Sequence, residues 1–152
     1  MMLNSVTLSV GEERQSKVWR TWAPRWDTYT VEVEAGPVVA TLAHKRGVKG
    51  LNPDRNFPTM SVGLQKQIGE TGPIEWDMRT IAYVDFGSIQ GKGQSQWTLA
   101  IGIWGRAPLW GPLQVQTATY LRGKPRDPEY RGEQSIFHAE LGMGLHWGRN
   151  EN

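Results

Sequence analysis

The chain has 152 residues, with 17 Lys and Arg against 15 Asp and Glu, a formal net charge of +2 at pH 7 and no cysteine. That length makes one domain, 1–152, large enough to bury a core or close a small barrel, and the basic excess is too small, taken globally, to imply nucleic acid as a partner. Without cysteine there is no disulfide framework, no thiolate metal site and no Cys nucleophile, and no apolar run approaches the roughly 20 residues of a transmembrane helix.

The first residues, Met1-Met2-Leu3-Asn4-Ser5, lead into a strand pattern without the charged and apolar leader of an exported protein, which counts against export. Val6, Leu8 and Val10 then alternate with Ser5, Thr7 and Ser9, a period of two that predicts a strand to about Glu12. Residues 13–26 are charged and aromatic and read as a long loop. Tyr29, Val31 and Val33 against Thr28, Thr30, Glu32 and Glu34 give a second strand, and Gly36-Pro37 a tight turn. Val38, Ala40 and Leu42 alternate with Val39, Thr41 and Ala43 in a third strand whose two faces differ little. A second long loop follows over 45–58.

Met60, Val62 and Leu64 mark a fourth strand, with a short turn at 69–73. The fifth is clearer: Ile74, Trp76, Met78, Thr80, Ala82, Val84 and Phe86 on one face, Glu75, Asp77, Arg79, Ile81, Tyr83 and Asp85 on the other. After a Gly-rich loop over 88–95 come Trp97, Leu99, Ile101 and Ile103, a turn over 105–111, then Leu113, Val115, Thr117, Thr119 and Leu121. A fourth polar loop, 123–133, leads to the last strand, where Phe137, Ala139, Leu141, Met143, Leu145 and Trp147 alternate with His138, Glu140, Gly142, Gly144 and His146. Eight strands in meander order imply an all-β, antiparallel up-and-down barrel, because closure removes both unpaired edges.

The end of that last strand, Glu140-x-Gly142-x-x-Leu145-x-Trp147, resembles the closing-strand signature of small bacterial outer-membrane β-barrels. The resemblance implies a transmembrane barrel in the outer membrane, with apolar residues facing lipid. Alternation itself fits two polarities, since a lipocalin-like soluble barrel turns the same apolar face inward around a ligand. A soluble structural protein of a larger assembly, such as a virion, is a further alternative.

Three patterns favour lipid outside. Connections alternate long and short, as in outer-membrane barrels. Aromatics sort by height, with Trp76, Trp110 and Trp147 near the short turns, Trp104 there too but facing inward by phase, and Tyr29, Phe86, Trp97, Tyr120 and Phe137 near the long loops. Glu75, Asp77, Arg79, Asp85, His138 and Glu140 share the opposite face with Glu32 and Glu34, where charges of both signs could pair as a lumenal network.

Arg14, Lys17, Arg20, Lys45, Arg46, Lys49, Arg122, Lys124 and Arg126 fall in or beside the long loops, a basic ring suited to lipopolysaccharide phosphates. Membrane lipid, lipopolysaccharide or a surface protein are the expected partners, and nucleic acid is not. The stretch from His44 through Leu51 and Pro53 also resembles lipid A deacylases faintly, but Arg46 stands where the nucleophilic serine would be. A non-enzymatic role is therefore expected, with no catalytic residue, no metal and no cofactor. His138 and His146 lie roughly 26 Å apart along a strand and cannot share a metal.

Overall fold

The computed structural model describes residues 4–16, 25–49, 56–89, 94–123 and 137–148. They form β1 (Ser5–Ser16), β2 (Arg25–Ala35), β3 (Val38–Lys49), β4 (Asn56–Thr71), β5 (Ile74–Ile89), β6 (Gln94–Trp110), β7 (Leu113–Arg122) and β8 (Phe137–Gly148). Each strand pairs antiparallel with the next, and β8 pairs with β1, so the sheet closes into a barrel in sequence order. The strands run well past the ends of their clearest alternation. Arg14, Lys45, Arg46 and Lys49, expected in loops, lie in strands instead, and Arg122, expected beside a loop, ends β7.

The barrel is strongly staggered. A path along the ladders from Ser16 through Phe137, Leu121, Ile101, Thr80, Leu64 and Val38 ends at Ala35, beside Glu34, the partner of Ser5. One circuit therefore descends nearly the whole of β1, which requires steeply tilted strands.

Three hairpins close one end in the same way. Gly36-Pro37, Gly72-Pro73 and Gly111-Pro112 are two-residue turns whose glycines have φ of 59°, 60° and 55°. Glycine at the first central position takes the left-handed conformation that matches the twist of the flanking strands, and proline follows where φ is fixed near −65°. The expected turns at 69–73 and 105–111 shrink to this repeated pair, because β4 and β6 continue to Thr71 and Trp110. Ser5 and Gly148 pair at the same end, called here the turn end. The connections 17–24, 50–55, 90–93 and 124–136 join strands at the far end and lie outside the described residues.

The two faces have opposite chemistry. Leu8, Val31, Leu42, Val62, Leu64, Leu99, Ile101, Met143 and Leu145 all point outward and are exposed, Leu64 at 61% and Leu99 at 58%. Thr7, Glu13, Glu34, Lys45, Thr59, Ser61, Asp77, Arg79, Asp85, Arg122 and His138 are buried inside. β3, whose phase was ambiguous in sequence, buries Val39 and exposes Leu42. A small apolar cluster, Ile81, Tyr83, Ala100, Ala118 and Tyr120, fills the middle of the interior, with Trp104 packed against it.

Candidate functional site

The interior is where this sequence concentrates ionisable groups, and the parity of each strand puts them there. Glu13 continues Ser5, Thr7 and Ser9 on β1; Lys45 continues Val39 and Thr41 on β3; Arg122 follows Ala118 and Tyr120 on β7. Facing one another across a narrow barrel, they pair.

Toward the far end Glu13, fully buried, is the hub. Lys45 Nζ donates to both of its carboxylate oxygens at 3.0 and 2.8 Å, and the Tyr120 hydroxyl donates to Oε1 at 2.6 Å. His138 Nδ1 stands 3.6 Å from the same oxygen. Glu140, the ladder partner of Glu13, also lies against the Tyr120 hydroxyl, at 3.2 Å. One hydroxyl thus sits between two carboxylates that face each other across the β1–β8 closure.

Beside this hub, Arg122 Nη2 donates to Asp85 at 2.5 Å and its Nε to Thr98 Oγ1 at 2.6 Å, while Thr59 holds the other Asp85 oxygen at 2.8 Å. The Arg122 guanidinium also lies 4.3 Å over the Tyr83 ring. A paired, hydrogen-bonded geometry of this kind is what makes buried charge tolerable.

A second layer lies toward the turn end. Arg79 forms a forked pair with Glu32 at 2.6 and 3.3 Å and approaches Glu34 at 3.7 Å. Arg106 reaches Glu34 at 3.0 Å and Glu75 at 3.4 Å. The Thr7 hydroxyl meets His146 Nδ1 at 2.8 Å. Between the layers a stack of rings runs from Trp104 through Tyr120 to His138, with 5.0 Å between successive centroids.

Opposite the rings the wall is built from small residues, Ser9, Thr30, Thr41, Ala43 and Ser61, and a cavity of about 100 Å³ remains there. It is lined by hydroxyls and by Glu13, Lys45 and Arg79, a setting for a few ordered waters. The interior can hold charge and water, and ion pairs lie toward both ends of it.

The expected network is thus split rather than single. Asp77 and Arg79 belong to the turn-end layer; Asp85, His138 and Glu140 belong to the far-end layer; Glu75 lies at the turn-end rim, about half exposed. Asp85 does not meet Arg79, because Arg122 takes it.

The basic ring divides as well. Lys45 and Arg122 turn inward and are buried by Glu13 and Asp85, so neither faces a surface ligand. Arg46 is exposed on the outer wall, and Arg14, also outside, pairs with Glu12 at 2.7 Å. Lys49 ends β3, while Lys17, Arg20, Lys124 and Arg126 lie outside the described residues. Tyr120, expected in an outer aromatic band, is instead buried inside by the Glu13 bond. His44 is exposed on the outer wall between its ladder partners Tyr29 and Pro58. Among the described residues no group of His, Asp and Glu is arranged to hold a metal.

The lumenal roles of Glu13, Lys45 and Arg122 are hidden in the sequence because Glu13 and Lys45 read as loop and Arg122 lies just beyond the clear alternation of its strand. Extending each strand's parity by two to four residues identifies all three.

Comparison with known proteins adds little. No family model matches the chain, and no curated protein matches it by sequence. Among solved structures, the crystal structure of Ail, the attachment invasion locus protein of Yersinia pestis, resembles it at 15% identity with a TM-score of 0.46, covering 96% of this chain and 100% of that one. At that level of likeness, what this chain does must be read from its own residues.

Proposed function

We propose that this chain is an integral β-barrel of the bacterial outer membrane, with a polar interior filled by its own side chains and a non-enzymatic role at the cell surface. One observation carries the reading: most large apolar side chains of the strands point outward, while paired charges lie inside around a small apolar cluster. In water this arrangement is inverted, since apolar area gains about 25 cal/mol per Å² by leaving solvent and buried ions lose hydration. In a bilayer both faces are satisfied, because the outer wall meets lipid and the closed sheet leaves no free edge strand. A lipocalin-like ligand carrier needs the opposite polarity.

The exposed rings fit the same setting. Trp110 and Trp147 project outward at the turn end, and Tyr29, Phe86 and Trp97 toward the far end, as amphipathic side chains do at two membrane interfaces. Short turns at one end and longer connections at the other suit an inner and an outer surface respectively.

The far-end connections carry Lys17, Arg20, Lys124 and Arg126, and with exposed Arg46 and the neighbouring Lys49 they form the surface we assign to lipopolysaccharide phosphates or another surface molecule. The test is partition of the full chain between buffer and detergent-extracted membrane, with unheated and heated samples compared on a denaturing gel. Extraction with membrane and a heat-shifted band support the barrel. A chain that stays in buffer without detergent contradicts it. Binding to lipopolysaccharide-doped vesicles, lost when the loop cations are changed to Ser, tests the surface assignment separately.

A further inference from the structure

The apolar belt of the outer wall is uneven in height. On β8 the outward positions are apolar from Phe137 to Trp147, and on β5 the outward set from Trp76 to Phe86 runs as far with only Thr80 polar. Each run spans roughly 33 Å of strand. On β1 the outward apolar run goes from Val6 only to Val10, on β2 from Val33 to Tyr29 and on β3 from Val38 to Leu42, each roughly 13 Å. At a strand tilt of about 35–45° the long runs rise about 25 Å and the short ones about 10 Å.

The shortfall lies at the far end. At the turn end the runs begin level, since Val6 pairs with Trp147 and Val38 with Leu64. Beyond Val10 come Glu12 and Arg14, opposite Leu141 and Ala139 of β8. Beyond Tyr29 comes Asp27, and beyond Leu42 come His44 and Arg46. On the other flank the ladder row Trp97, Val84, Met60 and Leu42 descends toward β3 with the stagger, by about 3 Å at each strand and about 10 Å in all. A notch is thus cut into the belt across β1–β3, floored by Val10, Tyr29 and Leu42.

Inside the notch the charges are matched to one another. Arg14 pairs with Glu12 at 2.7 Å, and Glu12, Asp27 and Arg46 are successive ladder partners. The row therefore calls for no particular ligand. It calls for a polar medium, because Arg14, His44 and Arg46 are exposed on the outer wall and the cost of an arginine facing lipid rises steeply with its depth. The bilayer yields more easily, since a leaflet thins against a short apolar wall at a small cost per ångström.

We propose that β1–β3 thin the outer leaflet on one side of the barrel, drawing lipid head groups and water down to Val10, Tyr29 and Leu42 while the leaflet keeps its full height against β5–β8. This rests on the membrane reading given above. The surface engaged is the head-group layer itself, whatever the head.

The test compares the depths of two residues that the fold holds at one height. Leu42 lies three ladder steps below Trp97, and Ile101 lies below it along β6, each by about 10 Å. Single-cysteine variants at each position, carrying a fluorophore in vesicles of long-chain phosphatidylcholine, are quenched by lipids brominated near the head group or near the chain end. The Leu42 label should respond mainly to the shallow bromines and the Ile101 label to the deep ones. Vesicles of short-chain lipid should narrow the difference, and Glu12→Leu, Asp27→Leu, His44→Leu and Arg46→Leu combined should abolish it in a barrel that keeps its heat-shifted band. Equal depths for Leu42 and Ile101 in long-chain vesicles overturn the thinning. An equal difference between labels at Val38 and Met78, nearly level near the turn end, also overturns it, because the barrel then tilts as a rigid body. Shielding of the Leu42 label from bromines and aqueous quenchers alike would mean that a second copy covers the flank, and overturns it too. These results leave the membrane reading intact, whereas a chain that stays folded and soluble without lipid removes both.

Discussion

Arg122 and Asp85 show what a single residue does in this interior. The pair is nearly fully buried and joins β7 to β5, with Thr59 and Thr98 occupying the remaining polar positions. Arg122→Ala leaves the Asp85 carboxylate without its cation, and the expected loss of stability is about 3–5 kcal/mol. Urea unfolding in micelles measures it. Changing both partners together, Asp85→Leu with Arg122→Met, should recover most of the loss, because no stranded charge remains. Tyr120→Phe is a subtler case. It removes the one hydroxyl between Glu13 and Glu140, and a loss of about 1–3 kcal/mol is expected in the same measurement, since two opposed carboxylates then lack a shared donor.

At the scale of elements, the three Gly-Pro turns set how the hairpins pair. Their glycines all hold φ near +60°, which an L-residue adopts at a cost of about 1–2 kcal/mol. Gly36→Ala, Gly72→Ala and Gly111→Ala should each destabilise the barrel by about that amount, and the effects should add because the turns are separate. Loss in only one turn would mean that the others are held by their strands rather than by their glycines.

The elements were also the most legible part of the sequence. Alternation such as Ile74 to Phe86 or Phe137 to Trp147 gave strand identity and order directly, because every second side chain must share a face. The strand ends were not legible. Glu13, Lys45 and Arg122 are charged residues that continue their strands, and local polarity reads as loop when the polar group is in fact paired inside a barrel. Partner choice was equally hidden: that Asp85 meets Arg122 and Arg79 meets Glu32 depends on the stagger between strands distant in sequence, which periodicity does not contain.

The whole molecule is a closed ladder with an apolar outer wall and two layers of ion pairs inside. Because the side chains of Arg79, Trp104, Tyr120 and Arg122 lie across the bore beside a cavity of about 100 Å³, the reconstituted barrel should show no discrete conductance steps in a planar bilayer. Steady steps would mean that the layers open.

The polarity of the wall can be measured directly, strand by strand. Single cysteines at Thr98, Leu99, Ala100 and Ile101 of β6, labelled with an environment-sensitive fluorophore in reconstituted vesicles, alternate between inside and outside in this fold. Labels at Leu99 and Ile101 should be blue-shifted and quenched by brominated lipid, and those at Thr98 and Ala100 should be spared. Quenching of the Leu99 and Ile101 labels by aqueous quenchers and not by brominated lipid, in a chain that needs no lipid to stay folded, would contradict that polarity.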